Sequence, residues 1–143
     1  MHLAPFYLIA LALVGIGDTF YLAYNEFMNT SPSCLLVGCD VVLTHPLSDF
    51  LGVPLAYWGL MYYTYMLLLV ALLAIEPRSK ALSSATLLYA GIGLLSSAVF
   101  IYIQAAIIGA FCQYCMLSAL ITLGLFALAV WHMRSLRASL IRS

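Results

Sequence analysis

The chain has 143 residues, 66% of them hydrophobic and 7% charged, with five basic side chains offset by five acidic ones and a mean hydropathy of +1.11. Water-soluble domains carry about a quarter charged residues and are about half apolar, so a soluble core is excluded and the bilayer must be the solvent for most of the chain. No excess of basic charge points to a nucleic-acid partner.

Four apolar runs follow in chain order: Leu3–Tyr24, Gly52–Ile75, Ala81–Ala110 and Phe111–Met133. Each reaches the roughly 20 residues that a helix needs to cross a hydrocarbon layer of about 30 Å. The first run has no basic residue before it and exceeds the usual apolar core of a signal peptide, so it reads as a span. The last two abut, and Gly109 is the natural place for a tight reversal. The expectation is an all-α integral-membrane bundle of four helices, about 3–24, 52–75, 81–108 and 111–133, in one domain over 1–143.

The basic residues fix an expected orientation. Arg78 and Lys80 lie between the second and third runs, and Arg134, Arg137 and Arg142 follow the fourth. Four alternating spans put both groups on one side, which the positive-inside rule makes cytoplasmic. Both termini are then inside, in an inner or plasma membrane. The loop 25–51, the turn at Gly109 and all four cysteines are outside, where disulfides form and persist.

That loop is far longer than the inner link at Glu76–Lys80, and structureless loops of such length are usually functional. It carries Glu26, Asp40 and Asp49, a turn at Ser31-Pro32-Ser33, and Cys34 and Cys39 in a Cys-x4-Cys pair. Leu43, Leu47, Phe50 and Leu51 recur at helical steps, with Thr44 suited to cap the turn and Pro46 tolerable only in its first turn. A short amphipathic helix lying on the outer surface is expected there.

A second pair, Cys112 and Cys115, opens the last run in FCQYC. The two pairs admit three readings. They can be structural disulfides, although a membrane bundle has no shortage of burial. They can form a four-thiolate zinc site, for which Phe111, Gln113 and Tyr114 at a lipid boundary are poor surroundings. Or they can pass two electrons from loop to helix by thiol–disulfide exchange. The relay is favoured and no metal is expected. Cys112 falls in the first helical turn, where free N–H groups and the helix dipole stabilise a thiolate. Cys115 is one turn deeper, within reach of a lipid-dissolved oxidant, and quinones are the obvious redox carriers there.

The motifs GIGDTFYLAY, GCDVVLTHP with GVPLAYWGLMYY, and FCQYCMLSA together resemble the vitamin K epoxide reductase family, specifically its prokaryotic members that form disulfides with a quinone as oxidant. The resemblance implies a four-helix bundle around the quinone, capped by the outer loop and its short helix. Cys34 would meet a thioredoxin-like exchange protein, Cys39 would shuttle electrons to Cys112, and Cys115 would face the quinone, which is a cosubstrate. Many relatives carry a fused thioredoxin-like domain; with the chain ending at Ser143, a separate partner is expected. Three positions depart from the family pattern: His45 stands where a serine or threonine is usual, Ala119 where vertebrate enzymes have tyrosine, and the second helix has no asparagine. The departures weigh against reduction of vitamin K epoxide, which stays the nearest alternative. A thiolate-based transporter of soft metals is an alternative of another class.

Further residues were weighed for the pocket. His45 can bond a quinone oxygen or take a thiol proton, or be a solvated loop histidine. Asp18 lies about 9 Å below the outer end of its helix at 1.5 Å per residue, where an ionisable group is a functional hypothesis by default. It is a candidate proton relay, or a neutral acid bonded to a neighbouring helix. Gln104, Tyr114, Trp58 and Tyr57 are candidate quinone contacts, with the interfacial aromatic belt as the alternative for the aromatic ones. Gly91, Gly93, Ser96 and Ser97 form a small-residue face suited to helix packing. His2 and His132 are assigned no role.

Overall fold

The computed structural model describes residues 3–35 and 37–143; His2 lies outside them. Four helices are long and apolar enough to cross a membrane: α1 (Leu3–Phe27), α3 (Leu55–Ile75), α4 (Lys80–Tyr102), extended by a π-helical segment Ile103–Ile108, and α5 (Gln113–Arg142). Between α1 and α3 the loop holds α2 (Cys39–Leu43), a 3-10 turn at Pro46–Ser48 and the two short strands β1 (Asp49–Phe50) and β2 (Val53–Pro54). The protein is an all-α, multi-pass membrane bundle.

Outward-facing Leu13, Leu88, Ile92, Leu95 and Leu123 are half or more exposed, as expected of helices that are apolar all round and meet lipid. The core is narrow, built from Leu8 and Ala12 of α1, Tyr63, Met66 and Val70 of α3, Ala90 of α4, and Ile121 and Leu125 of α5. The α1–α3, α4–α5 and α1–α5 seams are closely packed, and the α3–α4 seam is the loosest.

Small residues set these distances. A Cβ on Gly15 would run into the Tyr63 ring, and one on Gly93 into the Tyr62 hydroxyl. Of the rest of the predicted small-residue face, Ser97 Oγ bonds Thr122 Oγ1 at 2.9 Å and Gly91 sits opposite Phe126, while Ser96 is exposed and lines a cavity.

Gly109 makes the reversal between α4 and α5, in the left-handed region at φ 70°, its N–H donating to the Gln104 carbonyl at 2.8 Å. At the other end Ser79 caps α4 by accepting from the Leu82 N–H at 3.3 Å. There His132, which sequence reasoning left without a role, is buried and donates through Nε2 to the Pro77 carbonyl at 3.2 Å. The link between α3 and α4 is thereby tied to α5.

Two expectations shift. The last helix does not stop at Met133 but runs to Arg142, because Arg134–Ile141 contains no glycine or proline to end it. The loop helix lies at Cys39–Leu43, so Thr44 is its C-cap and not an N-cap. Past Pro46 the chain turns through Leu51 and Gly52, both at positive φ, and pairs Asp49 with Pro54 and Phe50 with Val53. Of the residues whose spacing suggested a helix, Leu43 lies in α2 and Leu47 in the 3-10 turn, while a two-residue hairpin with both turn residues left-handed takes Phe50 and Leu51.

Gly15→Ala is expected to destabilise the bundle by about 1–3 kcal/mol through overpacking against Tyr63. Gly17, with nothing within 4 Å of a built Cβ, is the control. Unfolding in detergent should separate the two.

Candidate functional site

The loop and helix cysteines meet at one end of the bundle. Cys39 and Cys112 are wholly buried in one small cluster with Val42, and Cys34, Tyr114 and Cys115 pack against it. Cys34 and Cys39 form a disulfide, whereas Cys112 and Cys115 are free thiols. The bridge is lopsided, since Cys34 is partly exposed and Cys39 is sealed in. Gly38 lets the chain enter α2 at φ 133° with its backbone close to Phe111.

The backbone on both sides of Cys34 is strapped to α5. The Leu35 N–H donates to Gln113 Oε1 at 3.0 Å, and the Tyr114 hydroxyl donates to the Ser33 carbonyl at 2.6 Å. The Ser33 N–H donates to the Tyr21 hydroxyl at 3.1 Å, and the Tyr21 and Tyr114 rings lie 5.3 Å apart. The two residues between the helix cysteines therefore hold the loop that carries the first cysteine pair.

Cys112 is the N-cap residue of α5, just ahead of the span. Its N–H, one of the free donors that open any helix, donates to Gln104 Oε1 at 3.0 Å. A hydrogen bond from the Cys115 thiol, supported by the N–H groups of Cys115 and Tyr114, brings the Cys112 thiol down to about 7 against the opposing effect of burial.

Beneath this cluster lies a cavity of about 410 Å³, mostly apolar, walled by all four spanning helices and roofed by Val42, Leu43, Leu47 and Phe50 of the loop. Cys115 lines it and Cys112 does not. Of the residues picked out in the sequence, Asp18, Trp58, Gln104, Tyr114 and Cys115 are brought together on its wall. His45 and Tyr57 are not on it. His45 caps the 3-10 turn, its Nδ1 accepting from the Leu47 N–H at 3.2 Å, and Tyr57 points its hydroxyl at the Ala23 carbonyl. Gln104 has its oxygen committed to the Cys112 N–H and its amide NH2 turned to the Cys115 thiol.

Sequence reasoning passed over Tyr63, Ser118, Thr19 and Phe100, all on the wall. A signal for α3 was present: Leu55, Trp58, Gly59, Tyr62 and Tyr63 recur at i, i+3, i+4, i+7 and i+8, one face of a helix. With Cys34 and Cys39 bonded to each other, no group of three or more His, Cys, Asp and Glu side chains among the described residues could hold a metal ion.

Substituting the strap residues tests their hold on the loop. Tyr114→Phe with Gln113→Ala should speed amide exchange at residues 33–35 by about tenfold, two net hydrogen bonds of about 1 kcal/mol each being partly offset by water. The Cys112 environment gives a second test. In Cys115→Ser only Cys112 titrates as a thiol, and its thiolate absorbance should rise through pH 7. In Cys115→Ala, which removes the donor, the midpoint should move up toward the ordinary thiol range.

The model of the vitamin K epoxide reductase family matches residues 6–130, which take in every residue of the site.

Proposed function

Since this chain belongs to the vitamin K epoxide reductase family and is by that membership a cysteine-based oxidoreductase, we propose that it is a quinone-dependent thiol oxidase that generates disulfides. The observation that carries this reading is the division of labour among the four sulfurs. Cys34 is reachable from outside the bundle, Cys39 and Cys112 are buried against each other, and Cys115 alone opens onto the apolar cavity.

In this reading the cysteine end of the bundle faces outward, and the end bearing Arg78, Lys80, Arg134, Arg137 and Arg142 faces the cytoplasm. A thiolate of a thioredoxin-like partner attacks Cys34 and releases Cys39, whose burial beside Cys112 directs it inward. Cys39 then attacks Cys112 of an oxidised Cys112–Cys115 pair, and Cys115 leaves as a thiol. The partner's second thiolate then attacks the partner sulfur bonded to Cys34, so the partner leaves as a disulfide and Cys34 is freed; Cys34 attacks Cys39 and releases Cys112. In this cycle, a bonded Cys34–Cys39 pair beside a reduced Cys112 and Cys115 is the state reached once two electrons have arrived at the helix pair. Gln113, Tyr114 and Tyr21 keep the loop over the helix pair throughout.

The cavity suits a quinone. Its volume falls in the roughly 300–1,000 Å³ range of small-molecule sites, its wall is mostly apolar, and Asp18 offers a carboxyl with no hydrogen-bond partner among the described residues. A bound quinone supplies the sink for two electrons and two protons, so the net reaction is partner dithiol plus quinone to partner disulfide plus quinol. Even a strongly oxidising exchange protein near about −120 mV needs such a sink.

The test uses the purified protein in detergent with a reduced thioredoxin-like protein and a soluble quinone, followed by the quinone's ultraviolet absorbance. Loss of the oxidised-quinone signal should require both proteins. Cys115→Ala should lower turnover by about a thousandfold or more, yet still accept the partner as a mixed disulfide at Cys34. Full turnover by that variant would refute the assigned roles.

A further inference from the structure

Asp18 is 8% exposed on a membrane-crossing helix. Both of its carboxyl oxygens lack a hydrogen-bond partner among the described residues, and its side chain lines the cavity. The alternative of an acid bonded to a neighbouring helix therefore has no partner to name. The five Lys and Arg residues lie toward the opposite end of the bundle. The titratable groups near it are the thiols of Cys112 and Cys115 on the α5 side and the phenols of Tyr62, Tyr63 and Tyr114. The α4 segment and the loop roof present no ionisable side chain to the cavity. A carboxylate with no cation or protein donor beside it is costly at bilayer depth. Such a site accommodates the acid form, which carries one O–H donor.

The other buried donors on the wall are mostly taken. Thr19 Oγ1 donates to the Gly15 carbonyl at 2.8 Å, Tyr63 and Ser118 bond each other, and Thr122 is paired with Ser97. The Trp58 indole N–H donates to the Phe50 carbonyl at 3.2 Å. Among the described residues the acid of Asp18 remains with a donor to give, since the amide NH2 of Gln104 is turned to the Cys115 thiol. A donor left over on an apolar wall fits a flat apolar ligand whose polar atoms are acceptors only, and a quinone's carbonyl oxygens are that.

We propose that Asp18 donates its carboxyl O–H to a carbonyl oxygen of the quinone and transfers that proton to it as Cys112 and Cys115 are oxidised. The proposal rests on the thiol oxidase reading above. In the balanced step the two S–H bonds break and one S–S bond forms. The two electrons go to the acceptor, and one proton goes to each of its oxygens. Asp18 delivers one of these protons and regains the proton released by a thiol, so it ends as it began.

The test compares Asp18→Leu and Asp18→Asn with the parent chain. Binding is read in a Cys115→Ser background, which cannot turn over, by quenching of tryptophan fluorescence with menadione. Asp18→Leu should weaken the menadione Kd by about tenfold, about 1.4 kcal/mol, while Asp18→Asn, whose amide still donates, should stay within about threefold. With Cys115 restored, Asp18→Asn should reduce quinone about a hundredfold more slowly, the usual scale for a lost proton-transfer group. In the infrared, menadione should shift a carboxylic acid C=O band that both variants lack. Because an unpartnered polar group is being removed, Asp18→Leu should melt no lower than the parent.

Unchanged binding in Asp18→Leu, parental turnover in Asp18→Asn, a band indifferent to menadione, or a lower melting temperature in Asp18→Leu would each overturn the proposal. A parent chain that neither binds nor reduces any quinone would sink the oxidase reading itself; a parent that does both, matched by Asp18→Leu, would sink this inference alone.

Discussion

Hydrocarbon offers no hydrogen-bond partner, so each polar group carried into the bilayer must be satisfied within the protein. The bond from the Cys112 N–H to Gln104 Oε1 is where that constraint meets the redox pair. The π-helical segment Ile103–Ile108 widens the end of α4, a distortion found mostly at functional sites, and it holds Gln104 buried beside the start of α5. Gly109 then reverses the chain in a left-handed turn tied back to the Gln104 carbonyl. One residue thus anchors both the turn and the N-cap cysteine. The placement of Cys112 against Cys39 depends on it, and so does the separation of Cys112 from the cavity that Cys115 lines.

The same geometry bears on the competing accounts of the four cysteines. A pair of structural staples calls for two bridges and gains nothing from exposing either. Here the loop pair is bridged, the helix cysteines lie in or against the same cluster, and the partly exposed Cys34 belongs to a loop strapped on both sides of it. Holding the loop backbone while leaving Cys34 accessible is what exchange with an outside thiol requires: a fixed target for attack and a buried leaving group that can turn on its neighbour. The proposed relay uses each of these features.

Much of this was legible beforehand because the bilayer imposes a simple code. Length, hydropathy and the absence of charge marked the four spans, and Gly109 beside a Cys-x-x-Cys marked the reversal. The parts that were not legible depend on competition between local and distant partners. Leu43, Leu47, Phe50 and Leu51 carry a helical period; Leu43 and Leu47 do lie in helical turns, yet beyond them the cross-strand pairing of Asp49–Phe50 with Val53–Pro54 prevails. His45 carries the side chain of a ligand or proton acceptor, but the nearby Leu47 N–H occupies its Nδ1. Gln104 reads as a polar contact in the pocket, and only the three-dimensional turn shows that its oxygen is already used. Tyr63 escaped notice because its surroundings are built by Gly15 on a different helix.

The way the helices pack bears on how two chemically different substrates are kept apart. The cavity lies behind the α3–α4 seam, the loosest in the bundle, with Trp58 and Tyr62 on one side and Ser96 and Phe100 on the other. In the proposed reaction an apolar acceptor reaches Cys115 laterally from the lipid, while the thiol partner meets Cys34 on the loop. Neither approach obstructs the other, and between them lies the buried cluster that Cys39 shares with Cys112. The roof residues Leu43, Leu47 and Phe50 belong to the same loop that carries Cys34 and Cys39.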